Sequence, residues 1–448
     1  MANDNRERLK QWLASGEIQL QPLTFAQREL WESSPVPAAD ASNNICATIH
    51  IRGLLTPEGS EAALQKVVDR QEVFRLSFLP GKEGPLQMIR RSGKPGLVFQ
   101  DLDEDASVEE LAEEIFRRPF DLVSGPLYRA VVFRRAADDH VLVFAIHHAI
   151  ADGWTLGVFV QDLFAAYLQG VRGNHGPLPP VPQLYSSWGA AERAFWHKDE
   201  LEKRAAYWRG NLADAPRLWS PPLGKAARSG ELNRSISLVP ADLTTAVREL
   251  ARRNGATLFS ALLAAFQIAL SKWTGADDIV VGTPVANRGK RTVRETMGYC
   301  SGIVPLRGQI HPRRSFADTL QAVHRSTLES FANAMPFVEL VKAVGDSAAP
   351  GYNPVFEIRF ALQNHPVPDV AVPGLSLQLR MRSTGTARFD LACEITEHGE
   401  SLEVVWLFRD HLFPTDEIER LSQTFPAVLA SVCESPEILT ATLVSSLS

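Results

Sequence analysis

A continuous apolar stretch, VLVFAI, covers residues 141–146. It follows a β-prone run at 127–133 and a polar turn at 134–139, which predicts a hairpin whose second strand is covered on both faces. Earlier, residues 45–52 alternate Ile or Ala with other residues, a pattern that predicts a strand with one buried face. Thr56 followed by Pro57 marks the start of a helix.

Helical and strand patterns continue to the end of the chain. A helix is predicted from Gly153 to Gly170, and residues 257–273 are apolar almost all round, which predicts a buried helix that Gly275 ends. Further strands are predicted at 279–281, 355–362 and 402–407, and a last helix at 418–432. The mixture indicates an α/β (α+β) fold.

The 448 residues exceed what one compact unit usually holds. Residues 173–182, GNHGPLPPVP, are rich in Pro and Gly and are typical of a linker. We therefore expect two subdomains, covering residues 1–176 and 177–448.

Composition narrows the possible partners. The net charge is −6 without a Lys/Arg-rich block, which argues against nucleic acid or an anionic membrane. The polar start predicts no signal peptide, and no apolar run approaches the ~20 residues of a membrane span. The four cysteines are scattered, without zinc-site spacing, and are expected to be free thiols in the cytoplasm: Cys46, Cys300, Cys393 and Cys433.

The candidate chemistry lies directly after the apolar stretch, in the segment 147–154, HHAIADGW. His147 and His148 end a strand and precede a helix, a favoured place for a reactive group. A histidine can carry a proton near neutral pH, and Gly153 lets a substrate approach the backbone. A separate His-x-x-x-Asp, such as His148 with Asp152, is a weak signal, because a buried His satisfied by a carboxylate is common.

A family resemblance strengthens that signal. HHAIADG resembles the HHxxxDG motif of the condensation-domain superfamily, which includes chloramphenicol acetyltransferase-like enzymes. Further segments resemble motifs of nonribosomal peptide synthetase condensation domains in the same order: 21–31 (QPLTFAQRELW), 69–78 (DRQEVFRLSF), 207–212, 281–288 (VGTPVANR), 336–341, 354–364 (PVFEIRFALQN) and 388–391 (RFDL). The resemblance covers nearly the whole chain. It departs at Gln71, where the family has His, and at Cys300 and Gly302, where it often has Phe and Asn.

The resemblance implies two chloramphenicol acetyltransferase-like subdomains arranged as a V, with a central channel and His148 midway along it. His148 would be the catalytic base, in a catalytic set with His147, Asp152 and Gly153. His147 would mainly orient the loop. Asp152 is expected to point away from His148 and to pair with an arginine.

Further site residues are expected on the same basis. Arg288 is the first choice as the partner of Asp152, and Arg75 or Arg70 the second. A substrate-binding set is also expected, which consists of Trp154, Ser301, Gly302, Gln363 and Asn364. Of these residues, Trp154 would mainly pack. Gln363 and Asn364 would either line the channel or cap a strand.

The implied reaction is transfer of an acyl group from a carrier-protein thioester to an acceptor amine on a second carrier protein. Both substrates would be held on phosphopantetheine arms. We expect no bound cofactor or metal, and a monomer. Few residues precede the opening motif, which suggests a free-standing or first domain with a fatty acyl or separately delivered donor. Ester formation, an acyl-CoA donor, epimerisation and a non-catalytic carrier-protein recruitment domain remain as alternatives.

Overall fold

The computed structural model describes residues 2–32, 38–82, 84–103, 106–219, 232–345, 353–363, 374–382 and 389–446 of the chain. Thirteen helices occur in these ranges: α1 (Ala2–Ala14), α2 (Phe25–Glu32), α3 (Pro57–Arg70), α4 (Val108–Arg117), α5 (Gly153–Val171), α6 (Tyr185–Phe195), α7 (Lys198–Asn211), α8 (Ala241–Arg253), α9 (Leu258–Thr274), α10 (Phe316–Ala332), α11 (Phe337–Val344), α12 (Thr415–Glu434) and α13 (Thr440–Ser446).

The strands of the described residues form three sheets. Their bounds are β1 (Ile18–Pro22), β2 (Asn44–Arg52), β3 (Leu76–Leu79), β4 (Leu86–Arg90), β5 (Leu97–Asp101), β6 (Tyr128–Ala136), β7 (Asp139–His147), β8 (Leu232–Val239), β9 (Asp278–Val285), β10 (Gly302–Gln309), β11 (Ile358–Gln363), β12 (Ser376–Arg382), β13 (Leu391–His398) and β14 (Ser401–Arg409). The sheet orders are β1-β4-β3, β12-β2-β7-β6-β5 and β10-β9-β11-β13-β14-β8. This mixed architecture confirms the predicted α/β class.

Strand β7 lies in the middle of the five-stranded sheet, and every one of its residues is buried. It pairs antiparallel with β2 and with β6, so the predicted hairpin is confirmed. The prediction that β2 buries only one face is wrong, because Cys46 and Thr48 are as buried as Ile49 and Ile51. Helix α4 packs against β2 and β7 on one side, and α3 and α5 lie over Ile51 on the other.

Helix boundaries follow the local signals in the sequence. Thr56 caps α3, and its hydroxyl accepts the Gly59 N–H at 3.1 Å. Helix α9 is buried along nearly its whole length, and Gly275 ends it in the left-handed conformation with φ 74°. The predicted helices at 153–170, 257–273 and 418–432 are therefore confirmed. Of the predicted strands, β9 is longer and β11 is displaced toward the C-terminus.

Apolar side chains form two separate cores. The first contains the five-stranded sheet with α3, α4 and α5, and the second contains α9 and the six-stranded sheet. Two parts of the second half of the chain join the first core or its sheet. Strand β12 pairs with β2, and Val293, Met297, Tyr299 and Cys300 pack in the first core. The division at residue 176, the V and the channel remain predictions.

In the described ranges, no single helix is long and apolar enough to cross a bilayer. Helices α8 and α9 reach that length and composition only together, across a bend of 105°.

Candidate active site

His148 lies at the point where the central strand becomes a helix. Strand β7 ends at His147, a 3₁₀ turn covers His148–Ile150, and α5 begins at Gly153. The His148 side chain is half-buried, in contrast to every residue of β7. Its ring packs edge-on against Tyr299, with ring centroids 4.3 Å apart and planes at 66°. The strand end thus presents one imidazole beside an aromatic ring.

His147 is buried and holds the backbone of the turn. Its Nδ1 accepts the Ala149 N–H at 3.1 Å, so this nitrogen carries no proton. Its Nε2 lies 2.9 Å from the carbonyl oxygen of Ala38 and must therefore donate to it. Both ring nitrogens serve backbone groups, which favours the orienting role over a place in the catalytic set.

Asp152 caps α5 with its side chain. Its Oδ1 accepts from the Thr155 N–H at 3.1 Å, and the two residues form a reciprocal capping box. Its Oδ2 accepts the N–H groups of Cys300 and Ser301, each at 3.1 Å. Arg288 Nη2 contacts both oxygens, at 3.0 and 3.1 Å. With these donors in place, the carboxylate has little capacity left to accept a proton from His148.

Arg288 is the arginine that the structure brings to Asp152. It is also buried, and it donates to the carbonyl oxygens of Val293, Thr296 and Gly298. Burial alone would lower the pKa of its guanidinium, but the Asp152 carboxylate raises it overall. The pair therefore ties the start of α5 to the segment 288–301.

Trp154 contributes to the same connection. Its indole N–H donates to the Arg294 carbonyl oxygen at 2.8 Å, and the Arg288 guanidinium lies 5.8 Å from its ring centroid. These contacts describe a packing residue, and its place in the substrate-binding set stays a prediction.

The second-choice prediction, that Arg70 or Arg75 pairs with Asp152, is wrong, because both side chains have other partners. Arg70 pairs with Asp162 and, at 2.6 Å, with Glu295. Arg75 donates to backbone carbonyls, including Val68 at 3.0 Å, because it lies at the end of a 3₁₀ turn that faces β4.

Gln71, which stands where the family has His, lies beside Arg70. Its amide nitrogen donates to Asp162 and to the Glu295 carbonyl, both at 2.9 Å, and its oxygen accepts the Met297 N–H at 3.1 Å. A glutamine amide suits this position because it can donate and accept at once. Arg70 and Gln71 thus form a second connection to the segment 288–301.

The other predicted substrate-binding residues are spread along strands. Ser301 donates to Asp152, and Gly302 begins β10. A Cβ atom on Gly302 would lie 3.1 Å from Asn287 Nδ2, so an asparagine at 302 would force Asn287 to move. Gln363 ends β11 and is half-buried, and Asn364 lies outside the described residues.

Gly153 is the first residue of α5, next to the Asp152 cap. Its N–H is one of those that a helix start leaves without an intrahelical partner. The positive end of the α5 dipole therefore lies four to five residues after His148 in the chain. This arrangement can favour negative charge near the turn, which fits the predicted role of Gly153.

Sequence reasoning missed two residues that contact the turn. Tyr299 packs on His148, and Gln27 donates to the Ala149 carbonyl oxygen at 2.9 Å. Gln27 lies in the segment 21–31 of the family resemblance, which was an available signal, whereas Tyr299 lies next to Cys300, where the resemblance departs. Because both residues are far from His148 in the sequence, their contacts with the turn could not be predicted.

The described residues contain no group of three or more His, Cys, Asp or Glu that could hold a metal ion. Cys300 is fully buried, and burial raises the pKa of its thiol, which disfavours the nucleophilic thiolate. The half-buried His148 is thus the group near this turn that is best suited to proton transfer.

Comparison with protein families and curated proteins agrees with the motif. The family model described as Condensation domain matches residues 17–446. Phosphinothricin tripeptide synthetase PhsC of Streptomyces viridochromogenes is 32% identical over 428 residues, which cover 93% of this chain and 39% of that protein. A linear gramicidin synthase of Brevibacillus parabrevis is 31% identical over 423 residues, 92% of this chain and 8% of that protein. The chain thus spans well under half of either relative.

Solved structures share the fold. The X-domain from teicoplanin biosynthesis superposes with a TM-score of 0.83 at 20% identity, over 94% of this chain and 96% of that one. A complex of the X-domain and OxyB matches at 0.82 and 21%, over 95% of each chain. The first condensation domain of the calcium-dependent antibiotic synthetase, in complex with a substrate analogue, matches at 0.78 and 21%, over 94% of this chain and 98% of that one.

Proposed function

This chain belongs to the condensation domain family, and we propose that it forms amide bonds in nonribosomal peptide or hybrid polyketide–peptide biosynthesis. It transfers an acyl group from the phosphopantetheine thioester of a donor carrier protein to the amine of a substrate on an acceptor carrier protein. Two relatives support the assignment to peptide biosynthesis. They are named as a tripeptide synthetase and a linear gramicidin synthase, and they are 32% and 31% identical to this chain.

The reaction begins when the acceptor amine attacks the thioester carbonyl. A C–N bond forms, and His148 takes the proton that the nitrogen loses. The tetrahedral intermediate then collapses, the C–S bond breaks, and the phosphopantetheine sulfur leaves and receives that proton. Holding both arms in one site supplies much of the rate through proximity. No acyl-enzyme is required.

The observation that carries the proposal is the difference in burial and in hydrogen-bond partners among the residues of the HHAIADG segment. His148 is half-buried at the end of β7, whereas His147 and Asp152 are buried and committed to backbone groups and to Arg288. A catalytic base needs solvent or substrate access, and only His148 of these three retains it.

Gly153 and the start of α5 are proposed to stabilise the oxyanion of the tetrahedral intermediate. Helix N-termini favour negative charge, and an oriented N–H donor contributes most when it needs no reorganisation. Ser301, Gly302 and Gln363 are proposed to line the path of the substrate arms, within a channel between two subdomains.

On this proposal, the protein works in the cytoplasm as a monomer without a bound cofactor. Both of its partners are carrier proteins. Its donor is a fatty acyl, polyketide, aminoacyl or peptidyl group. Alcohol acceptors and acyl-CoA donors remain alternatives within the same superfamily.

A non-catalytic recruitment domain is the second candidate. The match to the X-domain in its complex with OxyB favours it. At 21% identity that match concerns the fold alone, and the intact HHAIADG segment supports the enzyme as the first candidate.

The test uses two separate carrier proteins. The donor carrier is loaded in turn with fatty acyl, aminoacyl and peptidyl groups, the acceptor carrier with an aminoacyl group, and transfer is followed by intact-protein mass spectrometry. The parent protein should move the acyl mass to the acceptor carrier, and His148→Ala should lower the rate by about 100-fold or more.

His175→Ala is the matched control, because His175 is an exposed histidine in the 172–184 connection. It should keep the parent rate. An equal loss in both variants would reject His148 as the base. No transfer with any donor, including acyl-CoA, while carriers still bind would reject the proposed enzyme in favour of recruitment.

A further inference from the structure

We propose that Gln27 is a positioning residue that fixes the Ala149–Ile150 peptide in the turn that carries His148, an inference that rests on the proposed function of that histidine. Gln27 lies on α2 and its side chain is fully buried. Its amide nitrogen donates to the Ala149 carbonyl oxygen at 2.9 Å. A residue 122 positions earlier in the chain therefore holds the turn that carries the base.

The contact fixes the backbone immediately after His148. The Ala149 N–H donates to His147 Nδ1 at 3.1 Å, and the Ala149 oxygen accepts from Gln27. The peptide groups on both sides of Ala149 are thus each held by a buried side chain. The turn that begins at His148 is therefore fixed at both peptide groups of Ala149, and we expect the imidazole to keep its direction only while both contacts are made.

Gln27 is itself held from three directions. Its amide oxygen accepts the Thr24 N–H at 3.0 Å, and its amide nitrogen also lies 3.3 Å from Gln87 Oε1. Gln87 in turn donates to the Pro22 carbonyl at 2.7 Å. Every hydrogen-bonding group of the Gln27 amide has a partner, so its position is determined by β1, β4 and α2 together.

The position requires a side chain that both donates and accepts. Methionine has a similar length but no N–H donor, and glutamate keeps the acceptor oxygen but donates only when it is protonated. Methionine at any pH, and glutamate when it is ionised, leave the buried Ala149 carbonyl without this donor, and the turn then loses its fixed orientation. We expect the chemical step to suffer more than the binding of carrier proteins.

The first experiment compares Gln27→Met with Gln267→Met in the full chain. Gln267 is the matched control, because it is equally buried on α9 in the second core and neither of its amide atoms has a hydrogen-bond partner among the described residues. Gln27→Met should lower kcat by about 10-fold or more, with KM changed less than about 2-fold. Gln267→Met should keep both values, and thermal unfolding should show that both variants fold.

A second measurement needs no activity. NMR spectra of the protein with ¹³Cε1-labelled histidine give one signal per imidazole, and His148→Ala assigns that of His148. Gln27→Met should shift the His148 signal, whereas Gln267→Met should not. If the parent shows no acyl transfer, the proposed function fails, and this spectrum still decides whether Gln27 positions His148.

Gln27→Glu gives a pH signature and covers the case in which Gln27→Met fails to fold. The introduced carboxyl group donates to the Ala149 carbonyl when it is protonated and cannot donate when it is ionised. The kcat of this variant should therefore fall with rising pH through a transition that the parent lacks. Parent-like kcat in the folded variants, with an unchanged His148 signal, would overturn the assignment.

Discussion

Arg288 donates through a single nitrogen, Nη2, to both carboxylate oxygens of Asp152, across 136 residues of chain and with both side chains almost fully buried. The same carboxylate caps α5 and receives two N–H groups from residues 300 and 301. One ion pair therefore connects the helix after His148 to the segment that precedes β10. Its main role is structural, because both oxygens of Asp152 and both terminal nitrogens of Arg288 are committed to these contacts and to backbone carbonyls.

Removing one partner of this pair should be strongly destabilising. Arg288→Met leaves the Asp152 carboxylate buried without its counter-charge, and we expect the free energy of unfolding to fall by about 3–5 kcal/mol in urea denaturation. Arg359→Met breaks the half-exposed pair with Glu394 and should cost about 1 kcal/mol or less. Equal losses in the two variants would show that burial of the Asp152 pair has no energetic consequence.

The thiols should differ sharply in reactivity. Burial raises the pKa of Cys46 to about 12 and that of Cys300 and Cys393 well above the ordinary value. Cys433 is partly exposed, and burial raises its pKa to about 11. At a pH of about 8, a disulfide reagent should label Cys433 alone in the native protein, and all four thiols after denaturation. Rapid native labelling of Cys300 would contradict its buried position beside Asp152.

Glu192 should make stability depend on pH. Burial raises the pKa of its carboxyl from 4.5 to about 7, although it accepts the Phe25 N–H at 3.1 Å. The folded state then binds the proton more tightly than the unfolded state. Stability from this group is fully present below pH 4.5 and is lost as pH rises through 7, by about 3 kcal/mol.

Glu192→Gln keeps an acceptor for Phe25 and cannot ionise. Its unfolding free energy should therefore lack this decline between pH 4.5 and 7, and the variant should be more stable than the parent above that range. Parallel profiles for the two proteins would exclude a raised pKa at Glu192.

The aromatic ring of Tyr299 should contribute to kcat through its contact with His148. Tyr299→Phe keeps the edge-on contact with His148, and we expect kcat within about 3-fold of the parent. Tyr299→Leu removes the aromatic contact, worth about 1 kcal/mol, and frees the imidazole to turn, so kcat should fall about 10-fold. Steady-state transfer between carrier proteins measures both, and a larger loss in Tyr299→Phe would assign the role to the hydroxyl instead.

Much of the local structure could be predicted because its causes are local. Thr56 and Gly275 set helix ends through their own backbone and side-chain chemistry, and the apolar run before His147 identifies a central strand. The Asp152–Arg288 contact came instead from the family resemblance, since spacing in one sequence contains no information about a partner 136 residues away.

What could not be predicted depends on long-range packing. The alternation of Leu377 and Leu379 with polar residues is typical of a strand, but nothing in it indicates that β12 pairs with β2. The contacts of Gln27 and Tyr299 could not be predicted for the same reason. Their contacts with the His148 turn arise only when α2 and the segment before β10 close around it.

The placement of residues 293–300 in the first core has a consequence for recombination between relatives. These residues lie in the second half of this sequence, yet Val293, Met297, Tyr299 and Cys300 complete a core that the first half builds. A hybrid joined in the 172–184 connection would therefore combine a core from one parent with a core-filling segment from the other. Exchanges that keep 286–301 with the first half would retain the parental packing around the imidazole.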